Sequence, residues 1–276
     1  MSTGHSGRPG FPQKYGAWAV VLGASEGLGA AFARALAGRG MNLLLVARRR
    51  DLLRSLADGC RRNFSVEARC LDGDVAAPDF AGKLRDAVSE LEVGLAVYNA
   101  AFAPVGDFTD TDLEDLLRAV DVNVRGPVQA LRILLPPMAA RERGAVVLMS
   151  SLAGNQGTAR LATYAASKAF NKVLAEGLWR ELKGQGIDVL ACCAGAVRTP
   201  GYSGASGGDA PGTLDPDAVV QKTLRALWRG PTVVPGLVNK IASVVMGRLL
   251  PRRAAIGIMA GSTASLRESP GKGQPS

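Results

Sequence analysis

Apolar positions follow two alternating rhythms along this chain. Short runs rich in Val, Leu and Ala recur at Ala17 to Leu22, Asn42 to Ala47, Val66 to Leu71, Gly94 to Asn99, Ala145 to Ser150, Ile187 to Cys193 and Thr232 to Pro235. Such runs, alternating with longer stretches of helical period, are the signature of repeated βαβ units and a parallel sheet. Stretches of helical period fill the gaps: Gly27 to Arg39, Arg50 to Asn63, Asp79 to Leu91, Asp112 to Met138, Thr163 to Lys183 and Pro216 to Arg229. Thr111 and Glu114 form a capping-box pattern at the start of the fourth. The alternation predicts an α/β fold, a doubly wound seven-stranded parallel sheet with helices on both faces, in a single domain without internal repeats.

The ends and one loop break the pattern. Residues 1–13 are rich in Gly, Ser and Pro and read as a flexible arm, ahead of a single domain over 14–268. The stretch TPGYSGASGGDAPGTLD, residues 199–215, is too rich in Gly, Ser and Pro to pack alone and reads as a mobile substrate loop. Beyond Gly236 comes an apolar segment with interspersed Arg, a C-terminal lid over about 236–268, and then a polar tail, 269–276, expected to be disordered. The arm lacks the apolar run of roughly 7 to 15 residues of a secretory signal. No stretch reaches the roughly 18 to 20 apolar residues of a spanning helix. A cytoplasmic protein is expected.

Composition narrows the chemistry. With 276 residues, 47% of them hydrophobic, a large core forms and global disorder is excluded. The one histidine, His5, lies in the arm. That removes Ser-His-Asp and Cys-His nucleophiles and histidine zinc motifs, so no metal site is expected and acid–base work falls to Tyr, Lys, Asp or Glu. Cys60, Cys70, Cys192 and Cys193 show no C-x-x-C spacing and read as buried free thiols, the last two inside a strand. The net charge of +9 is local, since the residues from Val238 onward hold six Lys/Arg against one Glu. Aromatics make up only 5% and do not interleave with the basic residues, so nucleic acid is not an expected partner. Ile241 to Met259 alternates apolar residues with Arg248, Arg252 and Arg253. It reads either as an amphipathic segment on anionic lipid or, as the interruption at Pro251 favours, as a helical cover over a pocket with a basic outer face.

Two motifs carry the chemistry. L-G-A-S-E-G-L-G, Leu22 to Gly29, follows the first strand and opens the first helix. Gly23, Gly27 and Gly29 permit a tight turn in which pyrophosphate meets helix N-terminal amides, with Ser25, Glu26 and Leu28 beside it. At the end of the second strand, where NAD enzymes carry an acid for the ribose 2'-hydroxyl, stand Arg48, Arg49 and Arg50. Guanidinium groups suit a 2'-phosphate, so NADP(H) is favoured over NAD(H); Arg50 reads as a solvated helix start. Tyr164 and Lys168, in Y-A-A-S-K, share one helix face. An ammonium near a phenol stabilises the phenolate and brings it toward a working pH.

Taken with these motifs, Ser151, 13 residues before the Tyr, and Asn123 in D-V-N-V resemble the short-chain dehydrogenase/reductase family from about Tyr15 to Thr199. The resemblance implies a Rossmann-type fold and NADP(H)-dependent interconversion of a ketone and a secondary alcohol. Tyr164 would transfer the proton, Ser151 hold the reacting oxygen, Lys168 lower the Tyr pKa and hold the nicotinamide ribose, and Asn123 anchor a water in the relay. Ser150 is expected to face away. Asp74 and Val75 would lie beside adenine, Asn99 beyond the fourth strand, and Gly195, Val197 and Thr199 at the nicotinamide carboxamide.

Leu22 replaces the family's usual Thr, Tyr98 to Ala101 (Y-N-A-A) replaces N-N-A-G, and Ala194 replaces a Pro; these touch cofactor affinity, not proton transfer. Lys14 to Trp18 and Gly40 to Asn42 look like a branch with bacterial 7β-hydroxysteroid dehydrogenases, and are similar also to 17β-hydroxysteroid dehydrogenases and long-chain 3-oxoacyl reductases. A bulky apolar small-molecule substrate is implied, with walls at Phe102 to Phe108, Asn155 to Ala162, the loop after Thr199 and the region after Gly236. The alternatives are a fatty-acyl or small-ketone reductase and a non-catalytic NADP(H)-binding regulator. A homodimer or homotetramer through the helices of Asn123 and Tyr164 is implied by the resemblance alone.

Overall fold

The computed structural model describes residues 10–200, 202, 209–264 and 266. Seven parallel strands lie in the order β3-β2-β1-β4-β5-β6-β7. They are β1 (Trp18–Leu22), β2 (Asn42–Ala47), β3 (Ala68–Asp72), β4 (Val93–Tyr98), β5 (Gly144–Ser151), β6 (Ile187–Ala194) and the short β7 (Thr232–Val233). Successive side chains of a strand point to opposite faces. Ala19 and Val21 therefore pack with α2 (Gly27–Ala37), α3 (Arg50–Phe64) and α8 (Pro216–Ala226), while Val20 and Leu22 pack with α4 (Phe80–Val88), α6 (Gly126–Ala140) and α7 (Ala162–Leu182). The order reverses between β1 and β4, and ligands bind such sheets at the strand C-termini beside that point.

The helix expected from Asp112 to Met138 is continuous but not uniform. α5 (Leu113–Val120) passes through a π-helical turn, Asp121–Arg125, into α6. A π turn inserts one residue into the helical ladder and redirects a side chain, commonly at a functional position. Here it carries Asn123.

Several local expectations are corrected. The capping box does not form: the N-cap of α5 is Asp112, without a side-chain cap, and Thr111 Oγ1 instead donates to Asp107 O at 2.9 Å, closing the preceding turn. Cys60, Cys192 and Cys193 are buried as expected, but Cys70 is exposed because β3 is the sheet edge and pairs only with β2. A short helix, α1 (Phe11–Tyr15), begins inside the expected arm and buries Tyr15 in the core; residues 1–9 of that arm lie outside the described residues. Outside them also lie most of the loop interior and the tail 269–276. The C-terminal region forms α9 (Leu237–Val244), a π turn (Val245–Leu249) and α10 (Arg252–Thr263). Among the described residues, no helix is long and apolar enough to cross a membrane.

Candidate active site

The turn between β1 and α2 is held shut by main-chain contacts. Leu22 O accepts from the amides of Asn99 and Ala100, both at 2.9 Å, and Asn99 Nδ2 donates to Gly23 O at 2.9 Å. A Cβ on Gly23 would lie 2.5 Å from Ala100 N, and its φ of +82° is one that L side chains rarely adopt, so only glycine fits. Leu22 thus binds β4 through its backbone without the missing hydroxyl. The N-cap of α2, Glu26, makes no side-chain cap, so the first amides of an 11-residue helix point at the pocket without a side-chain partner. Such a terminus favours an anion, and its chemistry fits a pyrophosphate. Gly29 does not line the pocket; it sits behind the turn, where a Cβ would strike Gly23 and Ala24.

A single cavity of about 1150 Å³ runs from this turn to the C-terminal helices. Gly23, Ser25, Glu26, Gly27, Leu28 and Asn99 line one end, with Arg48, Arg49, Asp74 and Val75 beside them. Arg49 pairs with Glu26 at 2.6 Å and donates to Ser25 Oγ at 3.0 Å, bracing the turn. Arg48 stands exposed at the rim with no hydrogen bond or ion pair among the described residues. Asp74 receives the Ala76 amide at 3.0 Å and Arg118 at 2.5 Å. Burial pushes its carboxyl up, but the amide and the guanidinium outweigh burial and hold it below the usual range. Arg118 also lies over the Phe102 ring, 5.6 Å from its centroid. No pattern singled out Arg118, because its pairing depends on where α5 crosses the end of β3.

Ser151, Tyr164 and Lys168 share the wall of the same cavity. β5 ends on Ser151, whose hydroxyl accepts from the Ala153 amide at 3.2 Å, and Tyr164 stands near the start of α7. Ser150 does line the cavity, but its hydroxyl donates to Lys168 O at 2.7 Å, clamping β5 to α7 and leaving Ser151 to meet Tyr164. Buried Lys168 donates from Nζ to Met149 O at 2.9 Å, and Nζ lies 5.5 Å from the Tyr164 ring centroid. Burial raises the Tyr164 phenol while the neighbouring Ser151 hydroxyl works against it; Lys168 is not among the groups that move it. Burial lowers Lys168 itself to about 8.

Asn123 is buried behind the pocket, not in its wall. Its Nδ2 donates to Phe102 O at 2.8 Å and to Ser167 Oγ at 2.9 Å, and its Oδ1 accepts from Phe102 N at 2.8 Å. Ser167 Oγ donates in turn to Tyr164 O at 2.7 Å. The asparagine therefore ties the loop after β4 to the turn of α7 that bears the tyrosine.

Gly195, Val197 and Thr199 line the cavity beyond β6, and Thr199 Oγ1 accepts from the Tyr202 amide at 3.3 Å. The far wall mixes apolar and hydroxyl groups: Ala242, Ser243 and Met246 on one side, Met259, Ser262 and Thr263 of α10 on the other. Asn155 fastens this cover: it donates to Ser243 Oγ at 3.2 Å, and accepts from Lys172 at 3.0 Å and, through its main-chain oxygen, from Arg252 at 2.7 Å. The inner side of the C-terminal segment thus lines the cavity. Phe108 does not join the wall. The turn from Asp107 to Thr111 carries it out to a separate cavity of about 180 Å³, where it is exposed.

The family model for short chain dehydrogenases matches residues 17–206. The chain belongs to the short-chain dehydrogenase family. It is 35% identical over 190 residues to a 7β-hydroxysteroid dehydrogenase of Clostridium sardiniense, covering 69% of this chain and 73% of that protein. With the Collinsella aerofaciens enzyme of the same name it shares 31% over 234 residues, 83% and 89% of the two chains. A very-long-chain 3-oxoacyl-CoA reductase of Podospora anserina is 38% identical over 186 residues, and this chain spans 53% of its length. Among solved structures, one from a study of 7β-hydroxysteroid dehydrogenase stereoselectivity superposes with a TM-score of 0.85 at 29% identity, over 91% of this chain and 99% of that one. A Sphingobium yanoikuyae short-chain dehydrogenase in complex with NADPH gives 0.74 at 27% identity, over 94% and 98%. This short-chain dehydrogenase is an oxidoreductase of CH–OH groups and resembles the hydroxysteroid dehydrogenase branch.

Proposed function

We propose that this dehydrogenase interconverts a bulky apolar ketone, of the hydroxysteroid kind, and its secondary alcohol with NADP(H). The observation that carries the reading is the gathering of Ser151, Tyr164 and Lys168 in one cavity wall, between an uncapped α2 N-terminus and a helical cover. NADP(H), when bound, supplies or accepts the hydride. Gly23, Ser25, Glu26, Gly27 and Leu28 would hold its pyrophosphate, Arg48 and Arg49 its 2'-phosphate, Asp74, Val75 and Asn99 its adenosine side, and Gly195, Val197 and Thr199 its carboxamide. Exposed, untethered Arg48 supports the phosphate over the hydroxyl form, since no carboxylate stands at that strand end.

Tyr164 donates its hydroxyl proton to the carbonyl oxygen in reduction and accepts it in oxidation, and Ser151 hydrogen-bonds the same oxygen. Lys168 holds the ribose and the base of the relay; Asn123 positions Tyr164 through Ser167 and the Phe102 backbone. The 38% identity to a 3-oxoacyl reductase supports a second substrate class, long 3-oxoacyl chains, on the same residues. Leu113, Leu117 and Val120 are exposed along one side of α5, which supports a homodimer or homotetramer through these helices. A cytoplasmic location fits the reading.

The test is NADPH oxidation, followed by its near-ultraviolet absorbance, against oxo-steroids, oxo-bile acids, long-chain 3-oxoacyl esters and small aromatic ketones. Turnover concentrated on steroid ketones is the expected result. Turnover only on 3-oxoacyl esters would transfer the assignment to the second class, and NADPH binding without turnover of any of them would overturn both.

A further inference from the structure

Helices α9 and α10 have two different faces. The inner face meets the cavity through Ala242, Ser243 and Met246 of the first helix and its π turn, and Met259 and Thr263 of the second. The outer face is apolar where solvent would favour polar groups. Leu237, Ile241 and Val244, at i, i+4 and i+7 on one side of α9, are 73%, 56% and 43% exposed; Leu249 in the following turn is 70% exposed, and Ile258 of α10 is 53%. Isolated exposed leucines are ordinary, whereas an exposed apolar stripe along a helix marks an interaction surface.

Charge decides what kind of surface this is. From residue 218 to 267 the sequence holds eight Lys/Arg and no Asp or Glu. Lys240, Arg248, Arg252 and Arg253 lie on the two helices or the turns joining them, and all four are exposed. A second copy of this chain docking symmetrically on the face would bring each set of cations against its twin, which opposes self-association. Apolar side chains interspersed with unopposed cations suit the headgroup and acyl boundary of an anionic bilayer, which accepts both at once.

We propose that the outer face of α9 and α10 docks on anionic lipid, so that the cover of the pocket rests against the bilayer. The surface contact stands on its own; that it serves the uptake of an apolar substrate from the membrane rests on the function proposed above.

The experiment is co-sedimentation of the full chain with vesicles of phosphatidylcholine alone or with about one-third phosphatidylglycerol. The protein is expected to pellet with the anionic vesicles only, and to be released at about 0.5 M salt, where the Debye length falls to a few ångströms. The charge reversals Arg248→Glu with Arg253→Glu, and separately Leu237→Asn with Ile241→Asn, are each expected to weaken partitioning about tenfold or more. None of these four side chains lines the cavity, so NADPH affinity and vesicle-free turnover of a water-soluble ketone should stay at the wild-type level and report an intact fold. Failure to pellet with anionic vesicles, equal pelleting with neutral ones, or variants that partition like the wild type would each overturn the proposal. So would a change of oligomeric mass in either variant, which would assign the face to a second copy. Because vesicle binding is read without substrate, a silent ketone panel would overturn the functional reading and leave this one standing.

Discussion

Tyr98 donates its hydroxyl to the main-chain oxygen of Val122 at 2.6 Å, in the π turn that presents Asn123. Both residues are buried, and Gly126 leaves the space in which the phenol ring ends, since a Cβ there would strike the hydroxyl. Tyr98 is one of the departures from the family pattern, and it has become a brace for the asparagine turn. Tyr98→Phe leaves the Val122 oxygen buried without that partner, at about 1–3 kcal/mol. A lower thermal unfolding midpoint is expected, with turnover reduced more than NADPH affinity; an unchanged midpoint would contradict the brace.

Tyr164→Phe keeps the ring and removes the proton. Turnover is expected to fall by roughly a thousandfold or more, in line with loss of a general acid held in place. NADPH affinity, measured by fluorescence titration, should change by less than about threefold, because the phosphate turn and arginines are untouched. Substantial residual turnover would show that another group supplies the proton.

Arg48→Ala removes the untethered guanidinium at the rim. A charge-assisted hydrogen bond contributes about 1.5–3 kcal/mol, so NADPH affinity should weaken roughly tenfold to a hundredfold. NADH affinity should hardly move. Arg49→Ala should instead weaken both cofactors, since Arg49 pairs with Glu26 and Ser25 and shapes the turn. Equal losses of NADH and NADPH in the Arg48 variant would refute the phosphate assignment.

Lys168 gives stability a pH dependence of defined sign. Burial lowers its pKa to about 8, against about 10.4 for a lysine in an unfolded chain. Between those values the unfolded chain holds a proton that the native state has released, so stability rises with pH across the window. Below about pH 8 both states are charged, and the native state carries the whole cost of the buried ammonium, on the order of 3 kcal/mol. Unfolding midpoints of cofactor-free wild type and Lys168→Met, measured in parallel, should shift in favour of the wild type from pH 8 to 10. A constant gap would mean that Lys168 titrates normally.

Leu113→Glu with Leu117→Glu places two carboxylates on the exposed side of α5. If copies of the chain associate there, sedimentation at micromolar concentration should show the wild type as an oligomer and the variant as a monomer. A monomeric wild type would remove the association.

Periodicity and covalent spacing determined most of the fold and the linear part of the site. Short runs rich in Val, Leu and Ala between helical stretches mark parallel strands, and the seven runs are the seven strands to within about two residues at each end. Tyr164 and Lys168 fall on one face because four residues make about one helical turn, whereas Ser151 rests on the resemblance to the family, whose serine stands 13 residues before the tyrosine. What a spacing cannot specify is which polar groups meet across elements. The Asn123–Ser167–Phe102 junction needs the loop after β4, a π turn and α7 brought together, and the Asp74–Arg118 pair needs α5 to cross the end of β3. The exposure of Cys70 follows from β3 lying at the sheet edge, and the outward turn of Phe108 from the hydrogen bonds of Asp107 and Thr111. Arg48 and Arg49, the first two of three arginines after β2, are adjacent and chemically identical in the sequence; only the tertiary structure separates them, because Glu26 and Ser25 come within reach of Arg49 and leave Arg48 at the rim.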